Sequence, residues 1–440
     1  SSTTPTTDRP EGRSERAPGG RPGSRPASQA ALLRQVASSP AVVGLLAVLT
    51  ALFLSSILIL AADSEVRYTA TYLLNRPGDF LHATGSTLSE AYSSLLRGAI
   101  LDWRATTTVR MIRPITDTLT NATPLIIAGL GMAVAFRAGL FNIGGQGQMI
   151  LGAITACYVG IAWNLPPVAH LLLAVVGAAL GGLVWGGIAG VLKARTGANE
   201  VIVTIMLNSI AAHLLSQVLS LKAFNGEGET GNRKSLAVAD SAQYPSLVGN
   251  SFRLHAGFLL ALLVAVAVWW LMERSRLGFQ LRATGLNADA ARTAGMSVPW
   301  VTSLVMMISG ALCGLAATAP VLGTQKSMDE SVVGSIGFDA ITVALLGRSR
   351  PVGTVLAGLL FGALRAGGTA MQAAPGTHIK IVLVLQSTIV LFIAAPPLVR
   401  AIFRLPERRE PHGGDPSSAS VPAAAPATAP APAAPAAKEA

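Results

Sequence analysis

The chain has 440 residues, of which 51% are hydrophobic and only 12% charged, with a mean hydropathy of +0.53. Soluble domains carry about 25% charged residues, so an ordinary cytosolic enzyme is excluded, and so is a disordered chain apart from its tails. The formal charge of +11 reads as topology rather than nucleic-acid affinity, because Lys and Arg gather in the cytoplasmic loops of membrane proteins.

The first 40 residues are rich in Pro, Gly, Ser and Arg and read as a disordered tail. The first residue is not Met, as expected of a processed start. Ala41–Ala62 is the first apolar run long enough to span, and too long for the core of a signal peptide. Further spans are predicted at Ile115–Phe136, Leu140–Trp163, Val168–Leu192, Val201–Leu221, Ala256–Met272, Val301–Val321, Gly334–Gly347, Val352–Ala366 and Ile379–Pro396. Gly334–Gly347 reaches only about 21 Å as a helix against a hydrocarbon core of about 30 Å, so it reads as a half-helix or re-entrant segment. The expected fold class is all-α, a polytopic membrane bundle of about 8–10 transmembrane helices. The membrane-spanning domain covers residues 41–400, and residues 401–440, rich in Ala and Pro, form a second disordered tail.

Alternate short loops carry the positive charge: Arg137, then Lys193 and Arg195, then Arg274, Arg276, Arg282 and Arg292, then Arg348 and Arg350. Asn164–Pro167 and Gln372–His378 carry none. The first set is therefore expected in the cytoplasm, together with both termini. Residues 63–113 and 222–253 become extracytoplasmic loops, and residues 273–298 a cytoplasmic one. Within the first outer loop, Leu88–Leu96 has helical apolar spacing and reads as a short surface helix with Ser89 as a possible cap.

Small residues recur four apart at Gly177/Gly181, Gly182/Gly186/Gly190, Gly310/Gly314 and Gly358/Gly362. In a bilayer this spacing lets helix backbones approach closely, within the chain or at a subunit interface. Polar groups inside apolar spans line cavities or pair internally. They are Asn121, Asn142, Gln146, Gln148, Glu200, Asn208, His213, Gln217, Asp339 and Gln386. Gly139–Gln148 cannot be an ordinary lipid-facing helix, so it reads as a broken segment opening the third span. Asn142, Gln146, Gln148, Glu200, Asn208 and Asp339 are the candidate pathway residues. Packing around a helix break is the competing role for the first three, and a helix-start role for Glu200 behind Asn199.

Leu277–Met296 carries the sharpest local signal. Asn287 is a good N-cap, Asp289 sits in the first turn, Arg292 in the last, and Gly295 suits the residue just past the end. A helix of about two turns over Ala288–Ala294 results, too short to stand alone in water, so it must dock on something. There is no GxxxxGK[ST] phosphate loop, no HExxH and no paired-Cys metal spacing, and Cys157 and Cys313 lie in apolar runs that imply no disulfide framework.

In combination, Pro124–Gln148, Gly197–Asn208, Leu277–Met296 and Gly337–Gly353 (GFDAITVALLGRSRPVG) resemble the permease subunits of bacterial ABC importers in the branched-chain amino acid/ribose permease superfamily. The chain looks most like the larger permease of nucleoside uptake systems that depend on a basic membrane lipoprotein. The resemblance covers Ala41–Arg400. It implies a multi-pass protein of the bacterial cytoplasmic membrane that is not itself an enzyme, uses no cofactor and binds no nucleic acid. The implied partners are a cytoplasmic ATPase subunit, a second and smaller permease, and an extracytoplasmic substrate-binding lipoprotein. It also implies that the short helix couples to the ATPase, through Arg282, Gly285, Asn287, Ala288, Asp289, Ala291, Arg292 and Gly295. Simple sugars and branched-chain amino acids are alternative substrates. An ion-coupled secondary transporter is a less favoured class, because only Glu200 and Asp339 could serve as coupling carboxylates.

Overall fold

The computed structural model describes residues 40–225, 233–249 and 251–373, with short stretches between 387 and 404. The chain divides into Gly44–Val399 and a second unit, Ser1–Val43 with Arg400–Ala440. Of the second unit only the first helical residues from Pro40 and the stretch 401–404 are described. The predicted tails, the tenth span Ile379–Pro396 with Gln386, and the loop from Ala374 onward lie almost wholly outside the described residues.

The described α-helices of six or more residues, in chain order, are α1 (Pro40–Ala62), α2 (Ser64–Ala70), α3 (Pro77–Ala99), α4 (Thr108–Arg137), α5 (Gly145–Ala162), α6 (Pro167–Thr196) and α7 (Glu200–Leu219). Then come α8 (Gly257–Arg274), α9 (Arg276–Leu286), α10 (Ala288–Thr293), α11 (Val298–Ala316), α12 (Ile336–Leu346) and α13 (Pro351–Ala373). Among the described residues six helices are long and apolar enough to cross a membrane, and seven if the pair bent by 78° at Asp63 counts as one span. The predicted short eighth span is α12, with 11 residues, about 16 Å long. The predicted third span keeps its helix only from Gly145 onward.

The buried pattern explains the layering. From Ala122 to Ala135 every residue of α4 is buried, which marks a central helix apolar on all sides. On α6 the exposed residues Leu172, Val176, Leu180, Val184, Ile188 and Leu192 recur four apart and form one stripe. The opposite face of α6 buries Ala178, Gly182, Gly186 and Gly190. An apolar residue facing outward loses nothing in lipid, so the outer face stays apolar while the inner face becomes small.

Small residues close the α6–α11 contact. A Cβ on Gly182 would meet the Gly310 carbonyl and would lie 2.7 Å from the Gly314 Cα, and one on Gly190 would lie 3.0 Å from the Ser303 Cα. Gly358 and Gly362 of α13 accept Ile126 and Thr118–Ala122 of α4 in the same way, and Gly181 accepts Leu151 and Thr155 of α5. Each glycine stripe read from the sequence thus packs within the chain.

One expectation is corrected. Leu88–Leu96 is not a short surface helix capped by Ser89 but the rear half of α3, a 23-residue helix with Pro77 in its first turn. Ala83, Ala91, Leu95 and Ala99 form its buried stripe, and Gly98 and Leu95 rest on Ala370 and Gly367 of α13. The Ser89 hydroxyl donates to the Ser86 carbonyl at 3.1 Å inside the helix. Polar residues dilute the apolar stripe of α3, so its length is poorly visible in composition.

At the end of α11 the chain winds into a π-helix, Ala319–Thr324, held by the Gln325 N–H donating to the Pro320 carbonyl at 2.9 Å. The loop 233–249 straps this turn. Tyr244 N–H donates to the Leu322 carbonyl at 3.0 Å and Val238 N–H to the Lys326 carbonyl at 2.9 Å. His255 stacks on Tyr244 with centroids 5.3 Å apart. Burial pushes its imidazole down to about 4, so it stays neutral at physiological pH and its Nδ1 accepts the Gly257 N–H at 3.1 Å.

Candidate functional site: a broken helix joined to a capped coupling segment

The site begins where α4 stops. Gly139 takes φ +72°, and Leu140 N–H donates back to the Ala135 carbonyl at 3.0 Å, a left-handed helix termination that glycine allows without strain. Residues 140–143 run without helical structure, and α5 starts at Gly145. A helix start inside a membrane leaves donors that water cannot meet. Gly144, at the cap position, offers no side chain.

Distant side chains supply what Gly144 lacks. Asn142 Oδ1 accepts the Gly144 N–H at 2.9 Å and the Gln148 amide at 3.1 Å. Asn142 Nδ2 donates to Gln148 Oε1 at 3.0 Å and to Ser309 Oγ of α11 at 2.8 Å. Asn208 of α7 accepts the Gly147 N–H at 2.8 Å and donates to the Ile143 carbonyl at 2.9 Å. Asn142, Gln148 and Asn208 thus form one buried network that ties three helices to the break. Ser309 is a member that the sequence reading missed, since a lone Ser in an apolar run gives no signal.

The other candidates lie elsewhere. Gln146, half-buried, donates its amide to the Gly334 carbonyl at 2.6 Å, just ahead of α12. Asp339 in the first turn of α12 pairs with Arg365 of α13, and Arg365 also donates to Ser335 Oγ at 2.8 Å. Arg365 was overlooked in the sequence, although a single Arg inside the apolar run of the ninth span was the available signal. Glu200 stands apart, 2.8 Å from Lys193, while Asn199 Oδ1 caps α7 by accepting Val201 N–H at 2.9 Å. His213 and Gln217 face outward from α7.

The segment read as the coupling element is built as its caps dictate. Asn287 Oδ1 accepts the N–H groups of Asp289 and Ala290, both at 3.0 Å. Arg292 lies 3.3 Å from Asp289, α10 ends at Thr293 with Ala294 as its C-cap, and Gly295 takes φ +83°. Gly285 of α9 lies against the Arg137 carbonyl and Ala138. Arg137 in turn donates to the Ser349 carbonyl at 3.1 Å and lies 3.8 Å from Glu273. The α9–α10 segment is therefore fastened to the foot of the broken helix. Ala291 is buried against the chain itself, whereas Asp289, Arg292 and Gly295 face outward with Arg282 and Ala288 half-buried. Leu286, the last residue of α9, is 88% exposed.

A family model described as "Branched-chain amino acid transport system / permease component" matches residues 115–394. The guanosine ABC transporter permease protein NupP of Bacillus subtilis is 38% identical over 320 residues, covering 72% of this chain and 89% of that protein. The nucleoside ABC transporter permease protein NupB of Lactococcus lactis is 33% identical over 298 residues, with 66% and 81% covered. The glucose ABC transporter permease protein TsgB13 of Haloferax volcanii is 37% identical over 289 residues, with 63% and 75% covered.

Proposed function

The chain belongs to the branched-chain amino acid transport system permease family, and from that premise we propose that it is the transmembrane permease subunit of an ABC importer that carries nucleosides. The observation that carries this reading is the likeness to a guanosine permease over 72% of the chain. The family match over residues 115–394 takes in the broken helix, the α9–α10 segment and the Asp339 helix together. Sugar transport is the alternative, favoured by the likeness to a glucose permease. The protein sits as a multi-pass subunit in the cytoplasmic membrane and leaves ATP hydrolysis to a separate subunit.

The division of labour follows from the contacts. The end carrying Arg137, Arg274 and Arg348 faces the cytoplasm. There the ATPase receives α10, with Asp289 and Arg292 at its exposed face and Leu286 as the apolar anchor. Asn287 and Gly295 shape the helix, while Gly285 and Ala291 bind it to the bundle. A push on α10 reaches Gly139 through α9 and so moves the residues 140–143 that the Asn142–Gln148–Asn208 network holds. The pathway runs past Gln146 and the Asp339–Arg365 pair, where α5 and α12 begin. Asn142, Gln148 and Asn208 position this break. Glu200 and Asp339, the two candidate coupling carboxylates, already carry a basic partner, which suits a two-state gate biased by ATP better than ion coupling.

Uptake of labelled guanosine in cells carrying the complete importer tests the substrate. Unlabelled nucleosides are expected to suppress it when glucose and branched-chain amino acids do not. Suppression by glucose with no effect of other nucleosides would transfer the assignment to sugars.

A further inference from the structure

A cavity of about 220 Å³ lies between α4, the π-helix and the loop leading to α12. Its polar lining includes Asn121, Thr120, Thr324, Gln325, Ser331 and Arg365. Asn121 and Thr120 lie about 24 Å along α4 from Arg137, which places the cavity toward the end opposite the arginine-rich loops. A solute arriving from outside therefore meets it before the helix break.

Three features of the lining define what fits. The Arg365 guanidinium is neutralised by Asp339 and held by Ser335, so the wall presents donors without net charge and gives an anionic solute no unpaired cation. Pro124, also in the lining, has no N–H, so the Thr120 carbonyl one turn earlier receives no intrahelical donor from it. The wall thus offers hydrogen-bond acceptors as well as donors. Finally, no Phe, Tyr, Trp or His stands among the described residues that line it, so no aromatic ring there offers a nucleobase a stacking face. The volume is also below the roughly 300–1,000 Å³ of sites that enclose a whole ligand, which suits one ring of a larger solute.

Resting on the permease reading above, we propose that this cavity recognises the hydroxyl groups of a neutral sugar ring, the part that nucleosides and simple sugars share, and leaves the base unread. Asn121 and Gln325 are the specificity-determining side chains, and the Asp339–Arg365 pair holds the wall neutral.

The test is a ratio measured on the complete importer: uptake of guanosine divided by uptake of 2′,3′-dideoxyguanosine. Because the binding lipoprotein is the same throughout, a change in the ratio between wild type and variant belongs to this chain. Asn121→Leu and Gln325→Leu are each expected to lower the ratio about fivefold, the worth of one hydrogen bond. The ratio is independent of how much protein inserts, and Gln325 is exposed, so its variant folds even where Asn121→Leu does not. An unchanged ratio in Gln325→Leu together with an unchanged ratio in any inserted Asn121→Leu overturns the inference while leaving the permease role intact. If the wild type carries glucose and no nucleoside, the nucleoside assignment fails and the same ratio is read with glucose and its deoxy analogues. A wild type that carries only solutes without a sugar ring overturns this inference and the nucleoside assignment together, and leaves the chain an ABC permease of another substrate.

Discussion

Gly310→Val is expected to remove the folded bundle. The Gly310 Cα faces Gly182 and Gly186 on α6, and a Cβ there would collide with the Gly182 carbonyl and lie 3.0 Å from the Gly186 Cα. Both obstacles are backbone, so no rotamer change relieves them, and the two helices must separate. Without a hydrophobic drive between helices in lipid, close packing is what holds α6 to α11, and its loss spreads to Gly314, Gly186 and Gly190. A cost of about 3 kcal/mol, the upper end for overpacking, is expected. Size exclusion in detergent should show aggregated Gly310→Val protein beside a single wild-type peak. Gly177→Ala is the control, since the nearest atom to its new Cβ is Val159 Cγ2 at 3.5 Å, an ordinary contact. It should elute as the wild type does.

Leu286→Glu is expected to uncouple transport without touching the fold. Leu286 is 88% exposed, so the bundle gains nothing from it and the variant should insert and melt as the wild type does. An apolar side chain at such exposure, flanked by a six-residue helix that is marginal alone, is suited to a groove on a partner. A charge buried there would need desolvation with no counter-ion. ATP-driven uptake should fall by about tenfold or more, the range of an interface hot spot. Normal uptake by a well-inserted Leu286→Glu protein would remove the docking role from this segment.

The parts legible in the sequence were local. Asn287, Asp289, Arg292 and Gly295 specify α10 within nine positions, and the helix appears where those caps place it. Gly139 and the amides after it announced a break, because glycines and buried amides cannot make a lipid-facing helix. What stayed hidden was non-local. Nothing near Asn142 in sequence points to Ser309, 167 positions away, and nothing near Gly144 points to Asn208 of α7. The glycine stripes announced close packing, yet their partners emerged only from the fold. Helix α3 is longer than its apolar spacing predicts, because polar residues stand between the members of its buried stripe of Ala83, Ala91, Leu95 and Ala99. Arg365 went unweighed although it neutralises Asp339, because the ion pair joins helices whose register the sequence does not reveal.

The most direct measurement is accumulation of labelled guanosine by proteoliposomes that hold this chain with its ATPase subunit, second permease and binding lipoprotein. The account predicts accumulation with hydrolysable ATP, and none when the ATPase is omitted or a non-hydrolysable analogue replaces ATP, whatever ion gradient is imposed. Uphill accumulation by this chain alone, driven by an ion gradient, would contradict it.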